Sequence, residues 1–280
     1  MQNEFGGSWT ETKIEILVKY TKAYLTIMNK QKFKLIYFDG FAGSGDIMIG
    51  NEEEYRIIKG AAKEIVGITN PMSFDIYYFV ELDKDKRYNL ENELHQIRPF
   101  GVHVVNDDCN VKLKALADYL AVNPRHRALA FLDPFGMNLD WKSVEALEGK
   151  GIDVWILSPT GIGAGRGLKK QIQAIPIGWW KKLENFFGVD KEIIKGSFYE
   201  EVEETDLFGQ RTYLRKITKA NTKLFDLYKQ KALKVFKYTS EPYVIVNRNN
   251  SVMYHFFCAS NNTAAIKIAN SIVNQYSPIK

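Results

Sequence analysis

Cysteine is scarce in this chain, with two residues, Cys109 and Cys258, among 280. Neither belongs to a Cys-x-x-Cys pair or stands at ligand spacing from the four histidines, which argues against a disulfide framework or a structural zinc site. Long apolar runs are missing too, and none approaches the roughly 20 residues of a membrane span. The opening Met1-Gln2-Asn3-Glu4 carries no basic stretch leading into an apolar one, so a cytoplasmic protein without a membrane segment is expected. Internal repeats and low-complexity tracts are absent as well, which sets aside solenoid and fibrous architectures.

Core-forming material is plentiful. Hydrophobic residues make up 45% of the chain and aromatics 13%, ample for a folded interior and inconsistent with intrinsic disorder. The length suits one large α/β domain spanning 1–280 with an insertion. A net charge of +5 is mild, but its distribution is uneven. From Arg211 to Lys237 there are nine Lys or Arg and a single acid, Asp226, while acidic runs occupy Glu52 to Glu54 and Glu200 to Glu204.

Thr10 to Met28 carries Ile14, Leu17, Val18, Ala23 and Leu25 at near-helical spacing with Thr10 as its cap, predicting an N-terminal helix. Strands are expected at Phe33 to Phe38, Phe74 to Val80, Val102 to Val105, Ala128 to Leu132 and Val154 to Leu157. Each ends in an acidic or polar cluster, and helices are expected at Tyr55 to Val66, Asp85 to Ile97, Val111 to Ala121 and Lys142 to Leu147. This alternation predicts a doubly wound, mostly parallel sheet, which binds ligands along the C-terminal rim of its strands. Residues 160–240 break the rhythm and read as a helical insertion. Tyr243 to Val246 and Met253 to Ala259 read as a hairpin about an Asn-rich turn, completing a seven-stranded sheet, and a last helix is expected from Thr263 to Asn274.

The first strand runs straight into Asp39-Gly40-Phe41-Ala42-Gly43-Ser44-Gly45. Gly43 and Gly45 let the backbone approach a ligand, and Asp39 can accept hydrogen bonds from an ammonium group or a hydroxyl. A nicotinamide fingerprint wants a small residue where Met48 stands and an acid much earlier than Glu81. A phosphate loop needs Gly-Lys-Ser/Thr, which the turn does not contain. S-adenosylmethionine fits better, with Glu81 after the second strand placed to take both ribose hydroxyls and Asp108 after the third placed for the adenine amino group.

Asp133-Pro134-Phe135-Gly136 follows the fourth strand. A base amine is a poor nucleophile because its lone pair is delocalised into the ring. A carboxylate and a proline carbonyl that accept its hydrogens, with an aromatic ring stacked on the base, orient it for transfer. In the insertion, Ile217, Ala220, Leu224, Leu227 and Tyr228 share one helical face, and Arg215, Lys216, Lys219 and Lys223 the other. Beside Trp179, Trp180, Lys181 and Lys182, this basic helix at 211–237 is a candidate nucleic-acid contact.

The chain resembles the three-Cys-motif partner proteins, a methyltransferase-like bacterial and phage family. The likeness lies in Trp9-Thr10 with Lys13, Tyr37 to Gly45, Glu81-Leu82-Asp83, Asp108 with Asn110, Phe131 to Gly136, and Phe256 to Ser260. Asp-Pro-Phe-Gly also resembles the fourth motif of tRNA guanine-N2 dimethyltransferases and, more loosely, the Asp-Pro-Pro-Tyr of adenine-N6 enzymes, with Phe135 in place of the second proline. The resemblance implies a Rossmann-like class I methyltransferase fold, Lys13 closing over the site, and a three-Cys-motif protein as partner.

The reading that follows is an S-adenosylmethionine-dependent methyltransferase acting on a nucleobase amine in RNA or DNA. Asp39, Gly40, Phe41, Ala42, Gly43, Ser44, Gly45, Glu81, Asp83, Asp108 and Lys13 form the cofactor site, and Asp133, Pro134, Phe135 and Gly136 form the acceptor site. No metal is called for. The alternatives are an inactive methyltransferase-shaped binding module and, more weakly, a nicotinamide oxidoreductase.

Overall fold

A computed structural model describes residues 8–51, 54–165, 168, 175–206, 209–218 and 220–276. Met1 to Glu4, Glu52, Glu53, Lys219 and the insertion residues 166–167, 169–174 and 207–208 lie outside the described residues.

The central strands are β1 (Lys34–Asp39), β4 (Ile76–Val80), β5 (Val102–Val105), β6 (His126–Leu132) and β7 (Ile152–Ser158), joined in the order β5-β4-β1-β6-β7 with every pairing parallel. The long strand β12 (Val252–Ser260) lies antiparallel against β7. Along its far edge run the short β10 (Tyr238–Thr239) and β11 (Tyr243–Val246). Seven strand positions are thus filled by eight strands, because the outer position is broken in two. The antiparallel β12 also departs from the dinucleotide-binding fold, whose sixth strand continues the parallel series.

Alternation along the strands divides the interior into two layers. Leu35 and Tyr37 of β1 point to the face covered by α1 (Ser8–Met28), α2 (Ala61–Val66), α3 (Lys84–Ile97) and α9 (Thr263–Val273). Ile36 and Phe38 point to the other face, against α4 (Cys109–Val122) and α5 (Trp141–Glu145). The insertion helices α6 (Ile177–Phe187), α7 (Lys191–Phe198) and α8 (Ala220–Val235) join this second layer, burying Leu183, Phe186, Ile194, Phe198, Leu224 and Tyr228. Phe186 stacks on Tyr228 with centroids 4.8 Å apart. A π-helical turn, Thr160–Gly165, connects β7 to this region.

Several sequence expectations are corrected. Helix α1 begins at Ser8, so Thr10 lies inside it and is buried rather than capping it. The expected helix from Tyr55 shrinks to α2, because β2 (Asp46–Asn51) and β3 (Glu54–Lys59) pair as a hairpin, as β-branched Ile47, Ile49, Ile57 and Ile58 favour. Most important, the basic stretch is not one helix. Its first part is β9 (Gly209–Lys216), paired antiparallel with β8 (Tyr199–Asp206). That register sets Glu200 against Arg215 and Glu204 against Arg211, and Arg215 donates to Glu200 at 2.8 Å. The acidic run therefore neutralises the arginines. Within α8, Lys229 pairs with Glu241 and Lys231 with Glu145. Trp180 is buried in the core and Trp179 packs against it, so neither is a stacking platform.

Because the insertion shares the sheet's core, Phe186→Ala is expected to cost about 3–5 kcal/mol and to lower the midpoint of one cooperative transition in urea. A separate early transition would show the insertion folding by itself.

Candidate functional site

Parallel register sets the geometry of the site. Asp39, the last residue of β1, lies opposite Phe79 of β4 and Phe131 of β6. Two residues beyond those partners come Glu81 and Asp133, so carboxylates from three adjacent strands gather at one rim of the sheet, Asp39 two residues below the other two. This is the crevice where strand order reverses about β1, the place where open α/β sheets hold ligands. A cavity of about 1010 Å³ opens there. A smaller one, about 250 Å³, shares Lys13, Phe41, Gly43, Lys86 and Asp133 with it.

Lys13, Gly40, Phe41, Gly43, Glu81, Asp83, Asp108, Asp133, Pro134 and Phe135 line the larger cavity. Asp39, Ala42, Ser44 and Gly45 line the smaller. Gly136 lines neither. The two glycines of the turn have different reasons for being there. Gly43 sits at φ +68° and a Cβ there would meet open space, so backbone conformation requires it and the room in front of it remains for a ligand. At Gly45 a side chain would run into Glu93 and Leu90 of α3, and at Gly40 into Cys109 and Leu132. Protein packing, not a ligand, explains those two.

Glu81 is clamped by backbone. One carboxylate oxygen accepts the N–H of Gly43 at 2.8 Å and the other that of Asp83 at 2.9 Å. Each oxygen keeps a second lone pair, so the carboxylate is oriented without being used up. Asn106 Nδ2 donates to the carbonyls of Glu81 and Leu82 and ties this turn to the end of β5. Asp83 and Asp108 are helix caps, for α3 and α4 respectively, each through Oδ1. Asn110 staples the loop after β6, donating to the Asn138 carbonyl and accepting from Asp140 N–H.

Lys13 reaches in from α1, 6% exposed, and forms an ion pair with Asp133 Oδ2. Its ammonium also sits 5.6 Å from the Trp9 ring centre and 5.8 Å from that of Phe131. Asp39 is 1% exposed and accepts the Phe41 N–H at 3.1 Å. Burial raises its carboxyl to about 7; the Phe41 hydrogen bond opposes this, nearby Asp133 adds to it, Lys13 opposes it and Glu81 adds to it. Lys13 thus pairs with Asp133 and acts on Asp39, while Glu81 and Asp133 both repel the Asp39 charge. His255 is a packing group by contrast: burial pushes it down to about 4, it stacks on Phe225 at 4.1 Å, and its Nδ1 meets Thr160 Oγ1 at 2.7 Å.

Other wall residues escaped sequence reasoning or were noted there for other reasons. The rings of Trp9 and Tyr254 pack with centroids 5.6 Å apart and planes tilted by 31°, and Lys86, Lys182, Asn185 and Leu82 also line the cavity. Asn185 and Tyr254 carry no local signal at all, since they reach the rim only through the packing of α6 and β12. Leu82 and Phe135, 71% and 72% exposed, both line the larger cavity.

No family model matches the chain, and no curated protein does. Among solved structures it is similar to protein LPL1258 from Legionella pneumophila, 13% identical, with 97% of this chain and 94% of that one covered and a TM-score of 0.55. It is also similar to Trm1 from Pyrococcus horikoshii in complex with S-adenosyl-L-methionine, at 11% identity, 92% and 65% coverage and a TM-score of 0.39. A third is spermidine synthase from Thermotoga maritima, at 12% identity, 91% and 62% coverage and 0.41. At such identities the likeness is one of fold, and the latter two scores are too low to carry even that.

The raised Asp39 carboxyl has a stability consequence. The folded state holds a proton there that the unfolded chain loses near pH 4, so stability falls as pH rises from about 4 to about 7 and then levels off. Asp39→Asn removes this decline and is expected to gain on wild type across that window, by a difference on the order of 4 kcal/mol. Urea denaturation at several pH values measures it; a pH-independent difference would contradict the assignment.

Proposed function

We propose that this chain is an S-adenosylmethionine-dependent methyltransferase acting on an amine of a nucleobase in RNA or DNA. The observation that carries the reading is the charge of the crevice: Asp39, Glu81 and Asp133 converge there, and Lys13 offsets Asp133 and acts on Asp39. A pocket short of positive charge favours a ligand bearing a sulfonium and an ammonium group. The residues fit that ligand. Asp39 would take the ammonium, the oriented Glu81 carboxylate the ribose hydroxyls, Asp108 Oδ2 the adenine amino group, and Leu82 an apolar face of the ring. Lys86, exposed on the rim of both cavities, is a cation for the ligand's carboxylate.

Bound there, the cofactor supplies an electrophilic methyl group. This chain's own residues then orient the acceptor. Lys13 holds Asp133 by Oδ2, so Oδ1 accepts one hydrogen of the acceptor amine, the Pro134 carbonyl accepts a second, and Phe135 stacks on the base. A second reading, a binding module that partners a three-Cys-motif protein, draws on the same ion pair, because Lys13 already satisfies part of the carboxylate that the acceptor would need.

Calorimetry with S-adenosylmethionine separates the two. Wild type is expected to bind with release of a proton near pH 7, as the arriving ammonium drives Asp39 to its charged form. Glu81→Gln should weaken binding at least tenfold, about 1.4 kcal/mol, and absence of binding in wild type favours the module. Radiolabelled methyl transfer onto tRNA, ribosomal RNA and DNA tests the acceptor site. Asp133→Asn is expected to lower transfer by about 10²-fold or more with cofactor affinity kept, and transfer at the wild-type rate would refute its role.

A further inference from the structure

The crevice divides by chemistry along the sheet. On the β4 and β5 side stand Glu81, Asp83, Asp107 and Asp108, with Asp107 paired to Lys112 at 2.9 Å. On the β6, β7 and β12 side Trp9, Phe135, Tyr254 and Lys182 line the wall together with Asp140 and with Asp133, whose charge Lys13 offsets. The acids suit a cationic nucleoside and repel a polyanion. On the opposite half Asp133 is already paired to Lys13, and Lys182 stands among aromatic rings.

Helix α6 supplies the polar part of that second half, and its orientation is fixed by packing. Trp180, Leu183, Phe186 and Phe187 are buried, and Gly188 ends the helix in a left-handed conformation at φ +63°. Lys182 and Asn185, three residues apart and therefore neighbours on one helical face, are both exposed and both line the cavity. Lys181, equally exposed, does not line it. A helix whose back is locked into the core thus presents one ammonium and one amide to a cavity rimmed by three aromatic rings. An ammonium and an amide recognise a phosphate, and the rings recognise a flat base.

We infer that the face of α6 carrying Lys182 and Asn185 is the anchor for the sugar–phosphate backbone of a single-stranded polynucleotide, whose target base enters between Phe135 and the paired rings of Trp9 and Tyr254. The inference deepens the methyltransferase reading and rests on it for the role of the base. It moves the nucleic-acid contact from the 211–237 stretch, where Arg215, Lys229 and Lys231 are held in ion pairs, to the mouth of the crevice. A single strand offers its base without the cost of unpairing that a duplex must meet to flip a base into the cavity. Lys182 is a specificity residue in this arrangement, acting on the acceptor and not on the methyl donor.

The test uses the full chain and two fluorescein-labelled probes, a 12-nucleotide single-stranded RNA and the same sequence as DNA, read by fluorescence anisotropy at several salt concentrations. Lys182→Glu is expected to weaken binding about tenfold or more and to reduce the salt slope by about 0.7, one phosphate contact on a single strand. Asn185→Ala should weaken it about threefold, roughly one hydrogen bond. Lys181→Glu, the same charge change one residue away, should stay within about twofold, since distance and solvent screen it. Binding of either probe supports the inference, and the tighter one identifies the sugar. Equal losses at Lys181 and Lys182, no loss at Lys182, or no binding of either strand overturns it. S-adenosylmethionine calorimetry on the same samples keeps the readings apart: normal cofactor binding with strand binding insensitive to Lys182→Glu sinks the anchor alone, whereas loss of cofactor binding in wild type sinks the methyltransferase reading.

Discussion

Parallel hydrogen bonding of β1 between β4 and β6 is the constraint from which the site follows. The ladders bring Phe79 and Phe131 level with Asp39, so the acids that follow each strand must emerge side by side, in rows about 4.8 Å apart. Clustering carboxylates is unfavourable in itself. Burial and the neighbouring acids show the strain in the raised Asp39 carboxyl, and Lys13 offsets part of it from a helix 120 residues away in sequence from its partner Asp133.

Backbone amides then set how those acids point. Gly43 and Asp83 hold the two oxygens of Glu81, and the first turns of α3 and α4 hold Asp83 and Asp108. Asn106 and Asn110 tie successive rim loops to each other. Each contact is a modest stabiliser, about 1 kcal/mol net for a neutral pair and more for a charged one. Together they remove the freedom a solvated loop would have, so a ligand meets carboxylates already facing it.

The insertion changes meaning once its packing is known. As a string it looks like a basic appendage. In three dimensions its helices complete one layer of the core, its arginines face the acids of their own hairpin, and two polar residues of α6 are left looking into the crevice. The aromatic pair Trp179 and Trp180 illustrates the difficulty: tryptophans beside lysines resemble a stacking platform in sequence, yet amphipathic packing of α6 turns them toward the core. The hairpin of β2 and β3 was hidden for a related reason, since short segments of mixed isoleucine and charge satisfy helical and extended spacing equally well.

Local chemistry alone was enough to establish the alternating strands and helices, the glycine turn after the first strand and the acids and Asp-Pro-Phe-Gly segment at strand ends, because strand and turn propensities act over a few residues and a parallel sheet presents its strand ends along one rim. Long-range packing decided the rest. The ion pair of Lys13 with Asp133, the separate reasons for Gly40, Gly43 and Gly45, the packing of Trp9 against Tyr254 and the exposure of Lys182 and Asn185 all depend on which faces of distant elements meet. No spacing within the chain encodes that directly, since it is settled only when two helical layers close over the same sheet and each must bury its own apolar side.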